Sequence, residues 1–330
     1  MDKSESSKKK ILIIGISGQD GAFLSKYLHQ KGYQIIGSTR NKNNKTFEFL
    51  KNEGILNKIK LVNHDFCDFE KTKILLESNF IQEIYNLSGQ TSVGLSHKLP
   101  IETFESFVNV TLNILEAIRV VNKNIKYFNA SSAECFGNCL KPANEKSSFN
   151  ANSPYSFSKA TAYMLVKYYR ESHSMFCVSG ILSNHESKYR NENFVTKKII
   201  KSVVSIYLGK SNKLALGNTE IIRDWGYAKE YCEAMNLMLD YKIPEDFILA
   251  TGKSISLIDF VKYSFKYLDM NYKNYLIIDE NLKRPIDNKS ILLDPRKAYK
   301  LLKWKAKTSV FELIELMIEE ELLVQKNISK

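Results

Sequence analysis

Apolar and polar positions follow two different rhythms along the first half of the chain. Short β-branched runs at Lys10-Ile-Leu-Ile-Ile-Gly15, Gln34-Ile-Ile-Gly-Ser-Thr39, Ile59-Lys-Leu-Val-Asn63, Glu83-Ile-Tyr-Asn-Leu87 and Ile125-Lys-Tyr-Phe-Asn-Ala130 read as strands. Between them the apolar residues recur at helical spacing: Phe23, Leu24, Tyr27 and Leu28 within 21–31, and again over 69–77 and 104–120. Strands alternating with helices over roughly 170 residues predict an α/β fold whose parallel sheet is covered on both faces. Beyond Leu182 the pattern loosens into Asn/Lys-rich loops with helices expected near 195–208 and 310–323, which marks a smaller second region. No repeat or low-complexity linker interrupts the chain.

Chemistry first enters between the first strand and the first helix, at Gly15-Ile-Ser17-Gly18-Gln19-Asp20-Gly21. Glycines there allow a tight turn and close backbone approach to a pyrophosphate, whose charge meets the helix N-terminus. An ordinary glycine-rich turn could carry the same residues, but position and spacing together predict dinucleotide binding on a Rossmann-type doubly wound sheet. After the second strand stand Ser38-Thr39-Arg40-Asn41-Lys42, with no carboxylate to accept from the 2′-hydroxyl of NAD. A cationic set there suits a 2′-phosphate, so NADP is the expected cofactor.

Tyr155 and Lys159 share one helix face, where an ammonium favours the phenolate. The spacing alone is cheap, since Tyr27/Lys31, Tyr163/Lys167 and Tyr299/Lys303 repeat it. Only Tyr155 follows Ser153-Pro154, a helix start that puts it at the cofactor-facing end. Upstream, Asn129-Ala-Ser-Ser132-Ala-Glu134 ends a strand in polar side chains, where open α/β sheets bind ligands. A carboxylate there can act as acid and base toward a substrate. Ser132 and Glu134 could equally cap a turn and face water; beside Tyr155 and Lys159 they are expected to act.

Composition narrows the class. The 330 residues are 44% hydrophobic and 25% charged, the balance of a folded globular chain. No apolar run approaches the ~20 residues of a membrane span. The net charge of +12 comes from lysines scattered rather than gathered in one arm, and no nucleic-acid motif accompanies them. Five cysteines without a CxxC pair argue against a disulfide framework or zinc site, so no metal is expected and a reducing cytoplasm is. Residues 1–9 are polar, lack a signal-peptide core and are expected to form a disordered leader.

With these residues in view, the chain resembles the extended short-chain dehydrogenase/reductases and, among them, the GDP-mannose 4,6-dehydratase family. The resemblance rests on the Gly15–Gly21 loop, Glu83-Ile-Tyr-Asn-Leu-Ser88, Ser153-Pro-Tyr155, Gly180-Ile-Leu-Ser-Asn-His-Glu-Ser187, Asn193-Phe-Val-Thr-Lys197, Arg223-Asp-Trp-Gly226 and Pro244-Glu-Asp-Phe-Ile-Leu-Ala-Thr-Gly252. It implies a redox-neutral lyase with tightly held NADP, acting on a GDP-linked sugar as a homodimer or homotetramer. Tyr155 and Lys159 would be its dehydrogenase pair, Glu134 the C5 acid/base, and Ser132 would take the place usually held by Thr. Arg40 matches a 2′-phosphate ligand, Asp65-Phe66 an adenine contact, and Leu87, Ser88, Gln90 and Ser92 lead toward the nicotinamide ribose and substrate. His185 and Arg190 match cofactor-side positions; Asn184, Asn193, Lys197, Arg223 and Arg284 match nucleotide-sugar ligands, the two arginines suiting a diphosphate. On this division the NADP-binding domain is 10–182 with a return near 218–252, and 183–217 with 253–330 hold the nucleotide sugar. The chain between Gly252 and Arg284 is shorter than in the family, with Lys289 where an acidic residue is expected. A GDP-manno-heptose therefore stands as an alternative to GDP-mannose, and a nucleotide-sugar reductase or epimerase as an alternative activity.

Overall fold

The computed structural model describes residues 8–39, 47–283 and 286–327, so Arg40 and Arg284 lie outside the described residues. Six strands form in chain order: β1 (Lys10–Ile14), β2 (Gln34–Thr39), β3 (Lys60–Asn63), β4 (Glu83–Asn86), β5 (Lys126–Ser132) and β6 (Cys177–Leu182). The chain then builds β7 (Asn184–Glu186), β8 (Leu214–Leu216) and β9 (Ile222–Tyr227). It returns as β10 (Phe247–Leu249) before β11 (Ser254–Ser256) and β12 (Leu276–Ile278). The main sheet has seven parallel strands in the order β10-β6-β5-β4-β1-β2-β3. Succession reverses between β1 and β4, and ligands of open sheets bind in the crevice beyond the strand ends at such a point.

Alternate residues of β1 serve two different cores, which explains its unbroken apolar run. Ile11 and Ile13 pack with Phe128, Val178 and Met235 on one face, while Leu12 and Ile14 pack with Ile114, Ile118 and Val166 on the other. Helix Ala228–Asp240, absent from the sequence expectations, covers the first face with Tyr231, Cys232, Met235 and Met238. A separate core beyond the sheet joins Ile200 and Val203 to Phe260 and to Leu313, Ile314 and Met317. It is framed by helices Val195–Tyr207, Leu257–Tyr267 and Val310–Asn327 and by two small sheets, β11-β9-β7 and β12-β8. No helix among the described residues is long and apolar enough to cross a membrane.

Two local features aim the site. The helix expected over 104–120 runs as Pro100–Phe104, a wider π turn over Glu105–Asn109, and then Val110–Val121. That turn directs the Ser106 hydroxyl to accept from the Gln90 backbone N–H at 3.2 Å. Helix Pro154–His173 starts on a reciprocal cap between Ser153 and Ser156, with Pro154 in its first turn, which sets where Tyr155 points.

Helix Gln19–Gln30 meets β1 with no room to spare. A Cβ on Gly21 would stand 2.5 Å from the Ile16 Cα and 2.6 Å from the Gly15 carbonyl oxygen, and backbone atoms cannot rotate away. Gly21→Ala should gain ~1 kcal/mol of helix propensity but lose more to that overlap, for a net loss of about 2 kcal/mol in urea unfolding. A variant as stable as the wild type would show that the helix can shift freely on the sheet.

Candidate active site

The first turn is built around Gly15, whose φ of +81° suits glycine and where a Cβ would stand 3.0 Å from the Leu87 carbonyl atoms. Gly18 donates its N–H to the Gly15 oxygen at 3.1 Å, and the Gln19–Gln30 helix begins at once, its free N–H groups opening beside the crevice. A cleft of about 630 Å³ extends from this turn. It is lined by Gly15, Ser17 and Gly18 of the turn, Ser38 and Thr39 of β2, Asp65 and Phe66 after β3, and Leu87 and Ser88 after β4. Asn113 holds the Asp65-Phe66 corner by donating to the carbonyls of Phe66 and Cys67 at 3.0 and 2.7 Å. The closely approached glycine turn and adjoining helix terminus fit a dinucleotide.

Not every loop residue faces that cleft. Gln19 is a strut: its amide donates to the His185 carbonyl at 3.1 Å and accepts from the Ser187 hydroxyl at 2.6 Å. Gly21 serves helix packing. Gln90 ties its own loop together, its side chain donating to the Ser92 carbonyl at 2.8 Å and to the Thr103 hydroxyl. Asp20 turns to His185, whose Nε2 lies 2.9 Å from its carboxylate, while the ring's Nδ1 lies 2.7 Å from the Ser183 carbonyl. An acceptor at both ring nitrogens favours the doubly protonated imidazolium. Arg190 pairs with Glu186 at 2.9 Å and lies over the Phe194 ring.

The second cavity, about 150 Å³, adjoins the first at Leu87 and Thr91. Its wall includes Ser132, Glu134, Tyr155 and Lys159 together with Asp20, Ser92, Asn184, His185, Arg190, Asn193 and Arg223. Burial separates the four Tyr/Lys pairs of equal spacing. Tyr155 and Lys159 are 7% and 5% exposed, whereas Lys31, Lys167 and Lys303 all stand in solvent. Tyr163 packs its ring on Phe149 instead.

The spacing predicts an ammonium acting directly on the phenol; the structure arranges them differently. Lys159 Nζ donates to the Ala130 carbonyl at 2.6 Å and lies 4.0 Å from the centre of the Phe107 ring. Burial lowers its pKa to about 8. Burial also pushes the Tyr155 phenol well above its usual range, against the pull of a hydrogen bond with Ser132. Phe107 meets the Tyr155 ring edge-on at 5.6 Å. Tyr155 thus rests as a neutral phenol, and its base form needs positive charge beside it.

Glu134 follows Ser132 on a short turn capped by the Ser132 hydroxyl, which accepts the Glu134 N–H at 3.2 Å. One carboxylate oxygen accepts from the Asn288 amide at 3.0 Å, and the other lies 3.5 Å from Arg223 Nε. Arg223, 3% exposed, is not a free cation: it donates to the carbonyls of Ile222 and Asn288 at 3.0 and 2.8 Å and meets Asp287 at 3.3 Å. Lys197 is a larger departure. It is absent from both cavity walls because its ammonium is held by Glu321 at 2.7 Å and by the Lys188 carbonyl. Tyr189 stacks on Phe49 at 4.4 Å and donates to Glu53 at 2.7 Å, a packing role. Asn288 was missed by sequence reasoning, since an isolated polar residue 154 positions from Glu134 carries no local signal.

A family model described as GDP-mannose 4,6 dehydratase matches residues 12–317. The chain belongs to the GDP-mannose 4,6-dehydratase family. A family relative from Arabidopsis thaliana, GDP-mannose 4,6 dehydratase 1, is 36% identical over 329 residues, spanning 97% of this chain and 91% of that one. The Vibrio cholerae GDP-mannose 4,6-dehydratase is 33% identical, spanning 96% and 95%. A solved dTDP-glucose 4,6-dehydratase from Bacillus anthracis, in complex with NAD, superposes with a TM-score of 0.82 at 18% identity and covers 97% of this chain and 98% of its own. That likeness is one of fold. Ser132, Glu134, Tyr155 and Lys159 of this family member lie together in one wall, beside a cleft that fits a dinucleotide.

The Asp20–His185 pair should make the stability of this family member depend on pH. Burial raises Asp20 and lowers His185, but the partner ion, helped by Gln19 and Arg190 at Asp20 and by the Ser183 carbonyl at His185, outweighs it, so Asp20 ends below and His185 above its ordinary value. A raised histidine stabilises fully below its unfolded pKa of ~6.5 and loses the effect as pH rises through the folded value. A depressed aspartate stabilises above its unfolded ~3.9 and loses the effect as pH falls through the folded value. The pair therefore contributes most between about pH 4 and 6.5. His185→Gln should cost about 2 kcal/mol near pH 5.5, the size of a hydrogen bond to a charged group, and much less at about pH 9. A cost independent of pH in urea unfolding would show that the pair is not ionised.

Proposed function

We propose that this chain is an NADP-dependent GDP-sugar 4,6-dehydratase that converts GDP-mannose to GDP-4-keto-6-deoxymannose. The observation that carries the reading is the company of Glu134, whose carboxylate shares one cavity wall with Ser132, Tyr155 and Lys159. A reductase or epimerase of this fold uses the Tyr/Lys pair but has no need of a carboxylate at that point; removal of water does.

Each side chain then has one task. When bound, the oxidised nicotinamide would accept the hydrogen leaving C4, return it to C6, and add the positive charge that favours the Tyr155 phenolate. Gly15, Ser17, Gly18, Asp65, Phe66, Leu87 and Ser88 would hold that cofactor, with Lys159 near its ribose. Tyr155 takes the proton of the C4 hydroxyl, and the Ser132 hydroxyl, already bonded to the phenol, holds the C4 oxygen. The ketone formed at C4 acidifies the C5–H bond. Glu134 removes that proton and delivers one to the departing C6 hydroxyl, so the C–O bond breaks and water leaves with Glu134 ionised again. C5 finally regains a proton from the site, leaving the reaction redox-neutral. Ser92, Asn184, Asn193 and Arg223 line the space where the nucleotide sugar would lie.

NADP rather than NAD is supported by the end of β2, where Ser38 and Thr39 line the cleft without a carboxylate and Arg40 follows. Protein purified and denatured should release NADP(H) in excess over NAD(H); predominance of NAD(H) would refute that choice.

Incubation with a panel of nucleotide sugars, without added reductant, tests the reaction. Mass spectrometry should show loss of one water from GDP-mannose at least ~10-fold faster than from UDP- or dTDP-sugars. Turnover of UDP-sugars alone would sink the assignment. Glu134→Gln keeps the shape but removes the base, so turnover should fall by ~10²–10⁴ while a transient reduced-nicotinamide absorbance persists. Wild-type turnover in that variant would remove Glu134 from the mechanism.

A further inference from the structure

Glu134 is held by a residue outside the motifs of the family blocks. Asn288, 5% exposed, donates from Nδ2 to Glu134 Oε2 at 3.0 Å. Its Oδ1 accepts from Asn152 Nδ2 at 2.7 Å, and its backbone oxygen accepts from Arg223 at 2.8 Å. The two side-chain bonds agree on the amide's orientation, because a carboxylate can only accept while the Asn152 nitrogen can only donate. Asn152 directly precedes the cap of the Pro154–His173 helix and donates its own N–H to Ser156 Oγ at 3.0 Å. One amide therefore links the carboxylate to the helix start that carries Tyr155.

The segment that presents Asn288 is itself braced. Ile222 donates to the Lys289 carbonyl at 2.8 Å and accepts from Ile291 at 3.2 Å, which fastens it to the start of β9. On its other side Ser290 donates to Asn138 Oδ1 at 2.9 Å and accepts from Cys139 at 2.7 Å, directly after the turn bearing Glu134. A side chain delivered from backbone pinned on both sides can fix a neighbour's geometry.

We propose that Asn288 is the positioning residue of Glu134: its amide fixes the carboxylate in line with C5 of the substrate and keeps one oxygen occupied, leaving the other to exchange the proton. This rests on the dehydratase reading for the identity of the proton transferred, not for the contact itself. Groups that also face Glu134 are Arg223 from β9, Tyr155 from the helix, Cys135 and Cys139 from its own loop, and, through Arg223, Asp287. Among these contacts, Asn288 supplies an uncharged donor, so replacing it by an apolar residue of equal size changes geometry without adding or removing charge.

Asn288→Leu should leave C4 oxidation, read as the reduced-nicotinamide transient with GDP-mannose, and KM within about threefold. Turnover and deuterium exchange at C5 in heavy water should fall by about 10- to 100-fold, the range for losing a hydrogen bond to a charged group. Asn288→Asp supplies a donor only while its carboxyl is protonated, so its activity relative to wild type should climb as pH falls. A packing defect gives no such slope. Equal loss of C4 oxidation and C5 exchange in Asn288→Leu, no loss of either, or a flat pH ratio for Asn288→Asp would each overturn the proposal. Should the wild type fail to oxidise GDP-mannose, the dehydratase reading fails on that result. The crystal structure of Asn288→Leu then decides the positioning alone: a displaced Glu134 carboxylate supports it, and an unmoved one overturns it.

Discussion

A buried ammonium seated on a strand end organises the rest of the site. Lys159 is driven under the protein surface, where a charge is costly, and donates to the Ala130 carbonyl of β5 beneath the face of Phe107. That contact fastens the Pro154–His173 helix to β5 at one height. Ser132 and Glu134 leave β5 within four residues of Ala130, and Tyr155 lies one helical turn before Lys159. The thiol of Cys135, donating to the Ser156 carbonyl, repeats the join one step further along. Misplacing the helix by one turn would separate the phenol from Ser132 and bury an unsatisfied charge.

The second constraint is the closed glycine turn. Gly15 and Gly21 bring a strand, a helix and the Leu87 backbone closer than any side chain allows, so the helix N-terminus opens into the dinucleotide cleft. The same helix carries Gln19 and Asp20 to His185 and Ser187, joining the main sheet to the segment that bears Arg190 and Asn193. The two adjoining cavities thereby share one framework, as the proposed internal transfer between two carbons of one sugar requires.

Much of this was readable along the chain because the information was local. β1, β2 and the glycine turn announce themselves by short β-branched runs and glycine punctuation, and the serine-proline start singles out Tyr155 from three other tyrosines with the same spacing. Contacts distant in sequence were not readable. β10 completes the sheet beside β6 some 65 residues later, and only three of its residues pair, too short a run to carry a periodicity. Helix Ala228–Asp240 does carry one, at Tyr231, Met235 and Met238, and could have been found by that signal. Lys197 looked like a ligand because a lysine in a motif block looks free, yet Glu321 from the last helix claims it. Arg223 looked like a diphosphate cation, yet four acceptors surround it. In each case a partner more than 60 residues away holds the side chain, and nothing in the local pattern encodes that partner.

The proposed 4,6-dehydration makes a specific demand on the fate of a hydrogen: it must leave one carbon and reach another without exchanging with water. GDP-mannose carrying deuterium at C4, incubated with the protein as isolated and without added cofactor, measures this directly. The product should lack one water and carry the deuterium at C6 of the same sugar. Deuterium lost to solvent, or retained at C4 after turnover, would contradict it.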